Sequence, residues 1–198
     1  MIAMRNSAAR LGSAAASLLL GLAATPAMAA SSFSFDLVRT AGLPPTCAPQ
    51  ATAHVTDVTL GFAEKLTVKV SGFKSGTKFD VFVIQVPNKP FGVAWYLGDH
   101  SNGATRSFVS RLNDETFAIA TGAAPAPRPH GSKDASTNPV FAPVHTFHLG
   151  IWFNSPADAL RNGCPATQTP FNGEHSAGVQ VLNSGSFPDA VGPLRHVS

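Results

Sequence analysis

Apolar and polar residues alternate along much of this chain, and a helical period is almost absent. Residues 66–70, Leu-Thr-Val-Lys-Val, show the alternation most cleanly. Leu66, Val68 and Val70 share one face while Thr67 and Lys69 share the other, as in a strand with one buried and one solvated side. Phe33, Phe35 and Leu37 alternate with Ser34 and Asp36, and residues 54–60 repeat the pattern more weakly. Residues 79–86 are apolar on both faces, which predicts a central strand covered on both sides. Residues 93–97, 107–112, 116–121, 144–153 and 178–182 complete the strand set, with 107–112 and 116–121 forming a hairpin.

The stretches between strands carry turn chemistry. Residues 98–103, Gly-Asp-His-Ser-Asn-Gly, predict a loop. Residues 122–143 contain Pro125, Pro127, Pro129, Pro139 and Pro143 and predict a long proline-rich loop. One helix start stands out. Ser155 suits the cap, Pro156 the first helical position and Asp158 the first turn, and Gly163 ends the helix. Eight or nine short strands and one short helix predict an all-β fold. The specific expectation is an antiparallel immunoglobulin-like β-sandwich, one domain over residues 30–198.

The first 29 residues follow a different pattern. Arg5 and Arg10 make a positive start, residues 11–24 an apolar run, Pro26 a break, and Ala27-Met28-Ala29 a small-residue cleavage site. This order predicts a secretory signal peptide, residues 1–29. The apolar run is shorter than the ~20 residues a membrane span needs, so no transmembrane segment is expected once it is removed. The expected location is secreted, periplasmic or extracellular.

Export changes the charge picture. The full chain has 14 basic and 11 acidic residues, net +3. Without Arg5 and Arg10, 12 basic residues face the same 11 acidic ones. The basic residues are scattered, which argues against nucleic acid or an anionic membrane as partner. Export also places Cys47 and Cys164, the two cysteines of the chain, in an oxidising compartment, so they are expected to form one disulfide.

Residues 66–83, with Phe73-x-x-Gly76-Thr77-x-Phe79 between two alternating strands, resemble the strand-corner-strand of fibronectin type III and related immunoglobulin-like modules. Those corners usually carry Pro before the Gly and Tyr after it. Here Ser75 and Phe79 stand in those places, so the tyrosine-corner hydrogen bond is missing. The resemblance implies a sandwich and no activity. The segments His145-x-x-His148-Leu-Gly-x-Trp152-Phe-Asn-Ser-Pro and Pro170-Phe-Asn-Gly-Glu174-His175 are similar to stretches of uncharacterised exported bacterial proteins.

Histidine is the reactive residue type in surplus, with seven in the chain. His145, His148 and His175, with Glu174 as an oxygen ligand, are the candidate metal set, and Zn or Cu the ions their chemistry suits. Strand geometry opposes the simplest version, because residues three apart point to opposite faces. Trp95, Tyr96 and Trp152 are the candidate ligand-binding aromatics. The sequence shows no Gly-x-Ser-x-Gly elbow and no phosphate-cradling glycine loop. The expected function is a non-enzymatic extracellular binding protein, without a cofactor, whose partner is an unknown ligand or protein. The alternative is an exported metal-binding protein or metal-dependent hydrolase using the His-rich strand. A third class is a structural component of the envelope.

Overall fold

Strands form where the alternation predicts them, and their pairing explains which faces are buried. The computed structural model describes residues 32–59, 64–89, 91, 94–110, 146–169 and 176–195. Its elements, in chain order, are β1 (Ser32–Arg39), β2 (Thr52–Thr59), β3 (Glu64–Ser71), β4 (Lys78–Ile84), β5 (Ala94–Ser101), β6 (Thr105–Ser110), β7 (Thr146–Phe153), α1 (Pro156–Arg161), β8 (Gln180–Asn183) and β9 (Leu194–Arg195). Residues 1–29, where the signal peptide is expected, lie outside the described residues, as do 116–121, the proline-rich stretch 122–143, His145, Glu174, His175 and the side chain of Trp95.

The strand order is β5-β4-β7-β8-β1-β2-β3-β6, with β9 paired to β7. Each of these ladders is antiparallel. β1 joins the two halves of the sheet. Its residues from Ser32 to Leu37 pair with β2, and Val38 and Arg39 pair with β8. The two ends of the path, β5 and β6, come together across the turn after Ser101. The Arg106 guanidinium donates to the Asp99 carbonyl, His100 Nε2 lies 2.9 Å from the Val68 carbonyl oxygen, and the Gly103 N–H donates to the Val70 carbonyl. The sheet is therefore a nearly closed barrel. The sequence predicted two separate layers of an immunoglobulin-like sandwich. The strand shared by both halves and the side chains bridging the seam account for the difference, since together they leave little free edge.

One core fills the interior. Val55, Leu66, Val68 and Val70 meet Val81, Val83, Leu149, Ile151 and Val181 from the opposite half, and all are buried. Phe73, Phe79 and Phe153 pack edge-on or tilted at one end, with ring centroids 4.6–5.8 Å apart. The outward positions of the β1-β2-β3-β6 half are mostly polar, with Val38, Val58 and Val109 the apolar ones. Ser34, Thr56, Thr67 and Ser107 fall in one row across four strands, and their hydroxyls bond in pairs, Ser34 with Thr56 at 2.9 Å and Thr67 with Ser107 at 3.0 Å.

One local expectation changes. Residues 98–101 belong to β5 and are not loop. They pair with β4 past a bulge at Val81/Phe82, and pairing overrides their turn preference. Gly98 has φ +144°, and a Cβ there would lie 3.1 Å from the Phe108 ring, so the bulge requires glycine. β6 pairs with β3 through one edge; its expected hairpin partner, residues 116–121, lies outside the described residues.

The helix and the disulfide form as the sequence implies. The Asp158 N–H donates to Ser155 Oγ, whose hydroxyl returns a bond to Asp158 Oδ2. Asn162 closes the helix. Its Nδ2 donates to the Asp158 carbonyl and to Thr77 Oγ1, and its Oδ1 accepts from the Lys74 N–H. The Cys47–Cys164 bond then ties the helix end to the loop after β1. It spans 117 positions, and closing a loop of that length is worth about 4.7 kcal/mol in the chain-entropy account.

Candidate functional site

The second half of the sheet differs from the first, because its outward side is covered too. In β7, Leu149, Ile151 and Phe153 face the core, and His148, Gly150 and Trp152 face outward, yet all six are buried. On β4 the outward Phe82 and Ile84 are likewise buried, and with Phe91, Ala94, Trp152 and Ala177 they make a second apolar cluster. Trp152 is its centre, 5.2 Å from Phe82 and 5.0 Å from Phe91 between ring centroids, both edge-on. Its indole folds back over Gly150, where a Cβ would come within 2.4 Å of the ring. Glycine at that position is what lets the largest side chain lie flat on the sheet.

β8 adds a buried polar network beside this layer. Gln180 and Asn183 are three apart and would point to opposite faces of a regular strand. A shift in the β7–β8 register places Ile151 opposite Leu182 and Trp152 opposite Gln180, and both carboxamides then reach the same side. Asn183 Nδ2 donates to Gln180 Oε1 at 3.0 Å and to the Pro87 carbonyl at 3.2 Å. Gln180 Nε2 also donates to the Pro87 carbonyl, at 3.1 Å, and Thr40 Oγ1 donates to Gln180 Oε1 at 3.1 Å. Asn183 Oδ1 accepts the Gly185 N–H. The network fixes the chain after β4 and the residue after β1 to one strand.

A cleft of about 320 Å³ opens where these parts meet. Its floor is Phe91 and Trp152. Ala41, Leu43 and Val179 make an apolar wall. Polar groups come from Thr40, Thr167, Thr169, Asn88 and Gln180, and the one charge among its described lining residues is Lys89. Small-molecule sites typically span about 300–1,000 Å³ and combine an apolar body with a few fixed polar groups. Trp152 is only 1 % exposed. It supports the cleft from below and offers little open ring face.

The sequence-derived site residues fall into three groups. Cys47 and Cys164 are bonded to each other. Tyr96 is half-buried, packs on Phe82 at 5.5 Å and donates its hydroxyl to Asp99 Oδ1, so it sits at the margin of the aromatic layer that contains Trp152. His148, of the metal set, is fully buried on the outward side of β7. Ser184 Oγ accepts the Leu149 N–H at 3.0 Å and lies 2.9 Å from His148 Nδ1. Nε2 lies 3.3 Å from the Asp189 carbonyl, which can only accept, so Nε2 carries the N–H of the neutral ring and Nδ1 accepts the Ser184 hydroxyl. Burial pushes the pKa of this ring below its ordinary 6.5, against the opposing pull of the backbone at Asp189 and Ser184. Among the described residues, no three His, Cys, Asp or Glu side chains converge on a point that suits a metal ion.

Most of the cleft's polar residues were missed by sequence reasoning. They come from segments far apart in the chain, so spacing says nothing about them. One signal was present: Gln180 and Asn183 interrupt an otherwise apolar strand, and buried carboxamides in a strand need partners. Among the described residues, no helix is long and apolar enough to cross a membrane. Searches against protein-family models, curated proteins and solved structures found no match to the chain.

Proposed function

We propose that this chain is an exported, non-enzymatic binding protein that takes a small ligand in the cleft above Trp152. The cleft itself carries the proposal. It has an apolar floor, and its polar Gln180 and Thr40 are already held by neighbours, so binding has little side-chain order left to impose. The signal-like residues 1–29 and the disulfide support export, since such bonds persist in oxidising compartments. The immunoglobulin-like kinship belongs to the same proposal. Its support is the crossing from β3 to β4 through residues 72–77, which carries the chain from one half of the sheet to the other.

The test is a thermal-shift panel of sugars, amino acids and organic acids on the full chain recovered after export, beside Thr167→Trp. Thr167 is an exposed lining residue, so the larger ring fills the mouth and leaves the core intact. A ligand that raises the Tm of the native chain, and not of the variant, is the expected result. No shift with any member, or an equal shift in both proteins, overturns the proposal.

A further inference from the structure

We infer that the cleft takes a small sugar acid, a hydroxylated ring bearing one carboxylate, with the carboxylate on Lys89; this rests on the binding role proposed above. Three properties of the lining select that class. The first is charge: Lys89 is the one ionised group among the described lining residues, and no carboxylate faces it there. A cationic ligand gains nothing from such a site, and a single anionic group finds one counter-charge. The second is the kind of polar group. Threonine hydroxyls and carboxamides both donate and accept, which matches sugar hydroxyls, themselves donors and acceptors. The third is the apolar wall. The half-buried Leu43 and Val179 and the exposed Ala41 present apolar surface to one side of a ligand whose other side meets polar groups, the division that a sugar ring has between its C–H and O–H surfaces. A multiply charged phosphate ester is disfavoured because one exposed lysine is a weak match for it. The cleft volume also suits a ligand at the small end of the usual range.

Calorimetric titration of the full exported chain with D-glucuronate, D-glucose and acetate tests this, repeated on Lys89→Met, which keeps the apolar stem and removes the charge. Glucuronate should bind at least about tenfold more tightly than glucose, the effect of one charge-assisted hydrogen bond. Acetate should show no measurable binding. Lys89→Met should bring glucuronate down to the level of glucose. Equal binding of glucose and glucuronate, or an unchanged Lys89→Met, overturns the inference. Acetate matching glucuronate also overturns it, since the site is then a simple anion site. If glucuronate is silent while another panel compound is blocked by Thr167→Trp, the sugar-acid inference fails and the binding role stands. If no compound binds, both fail.

Discussion

The outer surfaces of the two halves of the sheet use their outward positions in opposite ways. On β1, β2, β3 and β6 these positions hold Ser34, Thr56, Thr67, Ser107, His54 and Lys69, exposed or half-buried, with short hydroxyl pairs and a 2.7 Å contact between His54 and Asp36. On β4, β7 and β8 they hold Phe82, Ile84, His148, Trp152, Gln180 and Asn183, all buried. The first surface is solvated and makes little demand on its neighbours. The second must satisfy the polar groups it removes from water: the Gln180–Asn183–Pro87 network and the Ser184–His148–Asp189 chain serve β7 and β8, and Asn154 Nδ2 donates to the buried Asp80 of β4 at 2.8 Å. A cleft forms on the second because a covering layer with fixed polar groups leaves a shaped gap at its margin. A flat solvated sheet leaves none.

The sharpest way to break this contrast is at Trp152. Trp152→Ala should cost about 3–5 kcal/mol in urea denaturation, since it empties the centre of the covering layer. A loss below 1 kcal/mol would mean that the layer is not packed as described. Next in size is Asn183→Ala, which takes one of its two donors from Gln180 Oε1 and removes the acceptor of the Gly185 N–H, and should cost about 1–3 kcal/mol.

His148 tests the same surface through pH. The unfolded ring takes up a proton as pH falls past about 6.5, and the folded ring, with its pKa lowered by burial, does so only at lower pH. In that interval the unfolded state binds more protons, so stability falls with pH by up to about 1.4 kcal/mol per unit. His148→Gln should remove that part of the slope in denaturation curves run from pH 7 to 5. An unchanged slope would place the pH dependence elsewhere. The smallest effect belongs to the solvated surface. Thr67→Val, which removes one hydroxyl from the row, should change stability by no more than about 0.5 kcal/mol. A larger loss would give that row a structural weight equal to the buried network.

The same contrast explains what the sequence could reveal. Leu66, Val68 and Val70 were legible because Thr67 and Lys69 between them remain in water. The two-sided burial of β4 was legible in the unbroken apolar run of residues 81–84, but nothing in it says what lies on either side. β5 was cut short in the reading because Gly98, Asp99 and His100 are turn residues by preference. Their strand geometry comes from β4, a partner several residues away. The Cys47–Cys164 bond needed only counting, because two cysteines allow one pairing. The cleft was illegible as a site: Thr40, Lys89, Thr169 and Gln180 come together only through the order of strands, and no local pattern encodes that order. Trp152 was legible only as a candidate ligand-binding aromatic, and its burial moves its part from open stacking face to floor.

The double pairing of β1 has a consequence for how the chain acquires its shape in time. Ribosomes deliver a chain from its N-terminus, so β1 and β2 emerge together and can pair at once. Thr40, just after β1, has its partner Gln180 140 positions later, and Cys47 meets Cys164 after a similar wait. Until that last portion arrives, the far end of β1 is an open edge and the Cys47 thiol has no partner within its own chain. A chain with contacts this distant folds slowly, and its period of greatest exposure to aggregation, and to a disulfide with another molecule, lies between the emergence of β2 and that of β8.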